Sequence, residues 1–206
     1  MPFDLPPPDP GIEIVVASRG MSKGIAQTQG PQLVPKAFVK FGDLQLGAQW
    51  KNVSSAAADG EGAIFANIAP KLGSLQLNAG VAYKFQTGIK GPTDSTSWEF
   101  SGGASRKFGP VTARVNAIYS PDDLGSARRS LFVEAGPAVQ LGKGWTASAA
   151  IGHRSRVNGV DYTAWNAGVG KAVKFLQVDL RYYDTNRSGV GEIYHGRVVA
   201  SAKLSF

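Results

Sequence analysis

The chain contains no cysteine, which rules out a disulfide framework and any thiolate metal site. Its two histidines, His153 and His195, are too few for a His-rich metal centre. No run of about 18 apolar residues occurs, so a transmembrane helix is excluded. Long Lys/Arg runs are absent as well, although the net charge is +7. The basic residues stand singly, and the densest cluster, SARRS at 126–130, falls between two strand-like segments. That spacing argues against nucleic-acid binding. The opening MPFDLPPPDPG lacks the basic and apolar regions of a secretory leader. It reads as a cytosolic start or as a mature form from which the leader has been removed. GVGKAVK at 168–174 lacks phosphate-loop spacing, and no Gly-x-Ser-x-Gly elbow is present. No cofactor is expected.

What the sequence does have is alternation. LQLNAGVAYKF puts Leu75, Leu77, Ala79, Val81, Tyr83 and Phe85 on one side, against Gln76, Asn78, Gly80, Ala82 and Lys84. VTARVNAIY, LFVEAGPAVQL and LQVDLRYY repeat the pattern, which is the two-residue period of a strand. The closing YHGRVVASAKLSF alternates as far as Phe206, although chain ends usually fray. The pattern predicts twelve strands near 11–20, 34–42, 44–53, 61–70, 74–86, 95–108, 110–120, 128–141, 145–155, 160–172, 175–184 and 192–206. Short turns such as GD, FGP and LGKG alternate with long loops such as GMSKGIAQTQGPQL and DTNRSGVGE. An up-and-down barrel sorts these to opposite rims.

The placement of aromatics decides which face meets which solvent. Trp50, Tyr83, Phe85, Trp98, Tyr119, Tyr182 and Tyr194 fall near the long-loop rim, and Phe41, Phe108, Trp145 and Phe206 near the short-turn rim. Between them the apolar face is aliphatic. Two aromatic belts around an aliphatic band suit a bilayer, whereas a soluble core centres its large rings. The polar face carries Gly47, Gly80, Gly103, Gly136, Gly152 and Gly168 among its charges, which is expected to leave room inside a lumen. In lipid every backbone polar group must be paired, so the sheet has to close, strand twelve on strand one. The expected fold is therefore all-β: a closed antiparallel up-and-down transmembrane β-barrel of 12 strands at residues 11–206, preceded by a Pro-rich periplasmic extension at 1–10.

A terminal aromatic after alternating apolar residues resembles the assembly signal of outer-membrane barrels. The N-terminal third, through ASRGMSKG (17–24), GPQL (30–33) and LGAQWKNV (46–53), resembles the TorF-type porin family. About fifty residues carry the likeness, and Ser18 stands where the family pattern has an aromatic before Arg-Gly. The resemblance implies a bacterial outer-membrane barrel with a pore role, assembled through its C-terminal strand by the barrel-assembly machinery.

By parity the lumen is lined by Lys36, Lys40, Lys51, Lys84, Lys107, Arg114, Arg154, Arg181, Arg197 and Lys203, with Glu99, Glu134, Asp179 and His195. Excess positive charge between low-dielectric walls attracts anions. The expected function is a monomeric Gram-negative porin passing small anionic solutes through a narrow basic lumen. The alternative is a non-conducting structural or accessory barrel, its lumen closed by Glu99, Glu134 and Asp179 pairing with Arg114, Arg181 and Arg197. An enzymatic role is not expected: His153 and Ser155 stand two apart on one strand, too far to oblige a hydrogen bond.

Overall fold

The computed structural model describes residues 6–92, 94–125 and 128–206. Twelve long strands form its wall: β1 Asp9–Ala17, β2 Gln32–Phe41, β3 Leu44–Asn52, β4 Gly60–Ile68, β5 Leu75–Thr87, β6 Thr96–Phe108, β7 Val111–Ser120, β8 Ser130–Gly142, β9 Trp145–Arg156, β10 Tyr162–Val173, β11 Leu176–Thr185 and β12 Arg197–Ser205. Each pairs antiparallel with its neighbours in chain order. The ring closes where β12 meets β1, from Glu13↔Ser205 to Ala17↔Ser201. Beyond the last assigned pair, Ile12 N donates to Phe206 O at 3.1 Å and Phe206 N to Ile12 O at 2.9 Å. Backbone order thus runs to the final residue, as closure demands.

The alternation orients the wall as expected. Val115, Leu180 and Val198 are exposed on the outside, at 46%, 53% and 62%. Lys84, opposite the buried Ser97 on β6, is only 9% exposed on the inside. Strands of nine to thirteen residues are long enough to cross a bilayer when tilted. Short turns rely on positive φ: Lys143 and Gly144 stand at +51° and +80° between β8 and β9, the left-handed pair that a tight hairpin requires.

The ends of the expected strands shift in two places. β1 already pairs at Asp9, opposite Lys40, so strand structure reaches into the expected extension, whose residues 1–5 lie outside the described residues. β12 begins at Arg197, and the segment before it coils into two 3₁₀ turns, Ser188–Val190 and Glu192–Tyr194. Gly189 lies in the first turn and Gly191 between the two, and Thr185 Oγ1 donates to Tyr194 O at 2.9 Å, fixing the turn instead of a ladder.

The small apolar core lies inside the barrel. Ile25, Tyr162, Ala164 and Tyr194 are buried together, with Val160 against them.

Candidate functional site

The lumen is occupied by its own first loop. Met21–Ser22 and Ile25–Ala26 pair as a miniature hairpin, with Lys23 and Gly24 at φ +50° and +84° in its turn. Gly24 serves a second purpose: a Cβ there would collide with the Cβ of Ala164 on β10. Glycine is thus required both by the turn and by the close approach to the wall. Ile25 and Ala26 are 8% and 5% exposed, so the hairpin lies against the interior rather than over the mouth.

Charged side chains lock it there. Lys23 Nζ donates to Glu99 Oε2 at 2.6 Å, and Tyr162 donates its hydroxyl hydrogen to Lys23 O at 2.8 Å. Lys51 Nζ donates to Gln27 Oε1 at 2.7 Å. Around the wall the network continues: Glu61 pairs with Lys51 at 3.0 Å and with Lys84 at 2.9 Å, and Lys84 reaches Glu99 at 3.6 Å. Asp123, from the β7–β8 loop, pairs with Arg154 and accepts from Ser130 Oγ at 2.8 Å. At the loop rim Arg19 Nη1 donates to Glu192 Oε1 at 2.5 Å.

The loop groups titrate accordingly. Burial pushes the Lys23 ammonium down from its usual range; Lys84 adds to this and Glu99 opposes it. Burial would raise the Asp123 carboxyl, but Lys23, Arg154 and the Ser130 hydroxyl outweigh it and hold the group at about 2. The hydrogen bond from Arg19 holds Glu192 below the ordinary carboxylate range.

The hairpin stands between two spaces. A vestibule of about 420 Å³ on the loop side includes Glu61, Lys84, Gln86, Asp123 and Arg154 in its lining. An inner chamber of about 410 Å³ includes Glu99, Arg114, Glu134, Asn166, Arg181 and Tyr183. Ser22 and Lys23 line both, so the hairpin tip borders each space.

Lys51, Lys84 and Glu99 belong to the network around the hairpin. Arg181 holds Asp179 in a two-point contact, both bonds 3.1 Å, and reaches Asn166 Oδ1 at 2.7 Å. Glu134 accepts from Asn166 at 3.4 Å. Arg114 lines the inner chamber and has no ion-pair partner among the described residues. Toward the short-turn end Lys36 pairs with Glu13, which also meets Lys203 at 3.9 Å; Lys36 and Lys40 lie over the Phe38 ring at 5.2 and 5.1 Å. Arg197 pairs with Glu192 at 3.3 Å.

Trp50, Trp98, Tyr119, Trp145, Tyr182 and Phe206 are exposed on the outside, between 38% and 68%; Tyr83 stands beside Trp98 with ring centroids 5.1 Å apart. Tyr194 does not join them. It is 5% exposed and meets Tyr162 edge-on at 5.4 Å, because its 3₁₀ turn carries it out of strand parity. His195 is displaced for the same reason: it sits exposed on the bend before β12, not in the lumen wall. His153 Nδ1 contacts Thr163 Oγ1 at 3.0 Å, not Ser155.

The expected charge pairs are also revised. Of the three acids, only Asp179 meets its expected kind of partner, Arg181; Glu99 goes to Lys23 and Lys84 instead. Glu13 and Glu61 face inward by the same parity as Lys36 and Lys84. Asp123, on a loop, had no periodic signal at all. The inward glycines do not leave open room. A Cβ on Gly152 would stand 2.6 Å from the Phe132 ring, on Gly47 2.6 Å from the Phe65 ring, and on Gly168 2.9 Å from Arg181 Cβ. Neighbouring side chains fill those places.

Neither a protein-family model nor a curated protein sequence matches this chain, so the TorF-type likeness rests on the N-terminal motifs alone. Solved structures do match over nearly the whole length. A KdgM porin in complex with disordered oligogalacturonate aligns with a TM-score of 0.66 at 10% identity, covering 95% of this chain and 99% of that one. The NanC porin gives 0.62 at 10%, covering 94% and 97%. The COG4313 outer membrane channel from Pseudomonas putida F1 gives 0.60 at 14%, covering 100% and 99%. At such identities the likeness is one of fold: this chain is a closed antiparallel barrel of twelve strands, and those solved structures match it over nearly its whole length.

Proposed function

We propose that the protein is a monomeric outer-membrane channel that passes small anionic solutes, with the first-loop hairpin as its constriction and the long loops outside the cell. The lipid-facing band and aromatic rims support the membrane setting. Membrane entry through the barrel-assembly machinery, engaging the C-terminal strand, belongs to the same reading, as does a transport role without catalysis.

One observation carries the anion preference. Lys40, Lys107 and Arg114 have no ion-pair partner among the described residues, against one such lumen acid, Glu134, while Glu13, Glu61, Glu99, Asp123 and Asp179 are all paired. The mobile counter-charge left to the lumen is therefore negative. Reversal potentials of the refolded protein in a salt gradient test this: anion selectivity is expected, and cation selectivity refutes it. The oligogalacturonate named with one structural neighbour is an acidic sugar polymer, so acidic sugars belong on the panel of test solutes.

The obstructed lumen favours a second reading, a non-conducting barrel with an accessory role. Silence in planar bilayers, both in the intact chain and after removal of the hairpin, would select it.

A further inference from the structure

Among the described residues three buried side-chain polar atoms lack a hydrogen-bond partner: Gln86 Oε1, Arg154 Nε and Arg156 Nε. All three belong to residues that line the vestibule above the hairpin. Buried polar groups almost always find partners, so the deficit is concentrated in this one space. Arg154 is answered in part by Asp123. Arg156 is not. It has the inward parity of Gly152 and Arg154 and stands opposite buried Ser130, and it has no ion-pair partner among the described residues. Asp161 accepts its backbone N–H at 2.7 Å, not its side chain. The other bases of the lining are matched: Lys23 with Glu99, Lys84 with Glu61 and Arg154 with Asp123. One guanidinium is left over, a group that binds a carboxylate through two parallel N–H bonds.

The free part of the lining is apolar. Ile25 of the hairpin, Val53 after β3, Leu124 of the β7–β8 loop and Ile193 of the second 3₁₀ turn meet around the space. Its hydrogen-bonding groups are largely engaged within the protein. Gln27 takes Lys51, Ser54 Oγ accepts from Gln29 N, and Ser55 Oγ accepts from Ala58 N. Gln86 Oε1 has room for a single donor, whereas a sugar acid brings several hydroxyls. Each hydroxyl set against Leu124 or Ile193 without a partner weakens binding. The inner chamber, with Arg114, Asn166 and Arg181 in its lining, has the opposite character.

We propose that the vestibule binds monocarboxylates with a compact apolar body, the carboxylate on Arg156 and the body against Ile25, Val53, Leu124 and Ile193. The role of this site in uptake rests on the reading of the protein as an anion channel; the binding itself does not require conductance.

Saturation-transfer NMR of the full chain in lipid nanodiscs, with empty nanodiscs subtracted, tests it. The probes are cyclohexanecarboxylate, its neutral counterpart cyclohexylmethanol, and glucuronate, which carries the same charge on a polyol body. Cyclohexanecarboxylate is expected to bind about tenfold more tightly than either. Arg156→Gln should weaken it about tenfold, the order expected for a hydrogen bond to a charged group, and leave cyclohexylmethanol unchanged. Ile193→Ser should weaken both cyclohexyl probes about threefold, since part of the apolar wall is lost. The Arg156 side chain makes no hydrogen bond among the described residues and Ile193 is 43% exposed, so both variants should fold. Glucuronate binding as tightly as cyclohexanecarboxylate would overturn the site. So would an Arg156→Gln variant that keeps full affinity for the carboxylate or loses both cyclohexyl probes alike. The same samples are recorded in planar bilayers. Anion conductance without that discrimination removes the vestibule site and leaves the channel; a silent barrel that keeps Arg156-dependent binding does the reverse.

Discussion

Lys23 Nζ and Glu99 Oε2 lie 2.6 Å apart, joining the tip of the first loop to the wall at β6. The Lys23 carbonyl is held from another side by Tyr162 on β10. A loop tip anchored to two separated strands cannot swing on one contact alone. The ion pair is well shielded, with side-chain exposures of 6% and 20%, so its strength is reduced less by salt than that of a surface pair. The hairpin is thus a fixed internal element, and its effect on permeation can be measured directly.

Removing residues 21–26 should raise single-channel conductance at least about twofold, because hydrophobic and charged constrictions, not the wide parts of a pore, set its resistance. Lys23→Ala should raise it less, since Gln27 still holds to Lys51 and the Ile25 packing remains. Deletion without any rise would mean that the narrowest point lies elsewhere. Anion selectivity should survive the deletion, because Arg114 and Lys107 stay in place.

The Asp123–Arg154 pair should make the fold acid-sensitive in a narrow window. Its carboxyl titrates at about 2 in the fold, against 3.8 for the unperturbed group. A folded-state value below the unfolded one means that the stabilisation is complete above the unfolded value and is lost as pH falls through the folded one. The window is therefore about pH 4 down to about pH 2, and the contribution is ~2 kcal/mol. The groups facing Asp123 are Arg154, Lys23, Lys84 and the Ser130 hydroxyl, and the bases among them remain charged throughout that window. Urea unfolding in vesicles should show wild-type stability flat from pH 7 to about 4.5 and falling below, with Asp123→Asn showing a smaller fall. A transition centred near pH 6 would contradict the assignment.

The strand content was legible because each wall strand lies between two solvents of opposite kind, which writes a period of two into LQLNAGVAYKF and VTARVNAIY. Inward Lys51, Lys84, Glu99 and Arg181 followed from that period. The hairpin did not, because a segment buried inside a lumen touches wall on several sides and has no fixed period. Its signal was local: Lys23-Gly24 between Met-Ser and Ile-Ala, a left-handed pair flanked by strand-forming residues. Asp123 and Glu192 sit on loops, where position depends on tertiary contacts. Tyr194 and His195 were misplaced because two glycines allowed 3₁₀ turns in a segment whose alternation happened to continue.

The inward glycines yield a paired test. A Cβ at residue 152 would press on the Phe132 ring at 2.6 Å and on Val133 O at 3.1 Å. Gly152→Val should therefore destabilise the barrel by about 1–3 kcal/mol, the usual cost of overpacking, measured by reversible unfolding in lipid. Phe132→Ala in the same chain should recover part of that loss, since the ring is the nearer neighbour. Independent, additive losses would show that the glycine is not there to receive the ring.

Orientation itself is open to a direct comparison. Leu180 is 53% exposed on the outside, while Gln49 lines the inner wall beside Lys36, Ala63 and Phe65. An arginine on the lipid face near the midplane costs about 2–4 kcal/mol, falling toward the rims. An arginine in a wet lumen costs little beyond repulsion from a neighbouring base, less than about 1 kcal/mol. Leu180→Arg should therefore lose several times more stability in vesicles than Gln49→Arg. A conservative control, Leu180→Ile, should be near neutral, because lipid accepts either side chain. If both arginine variants lost the same small amount, the outward face would be facing water, and neither the membrane setting nor the pore would stand.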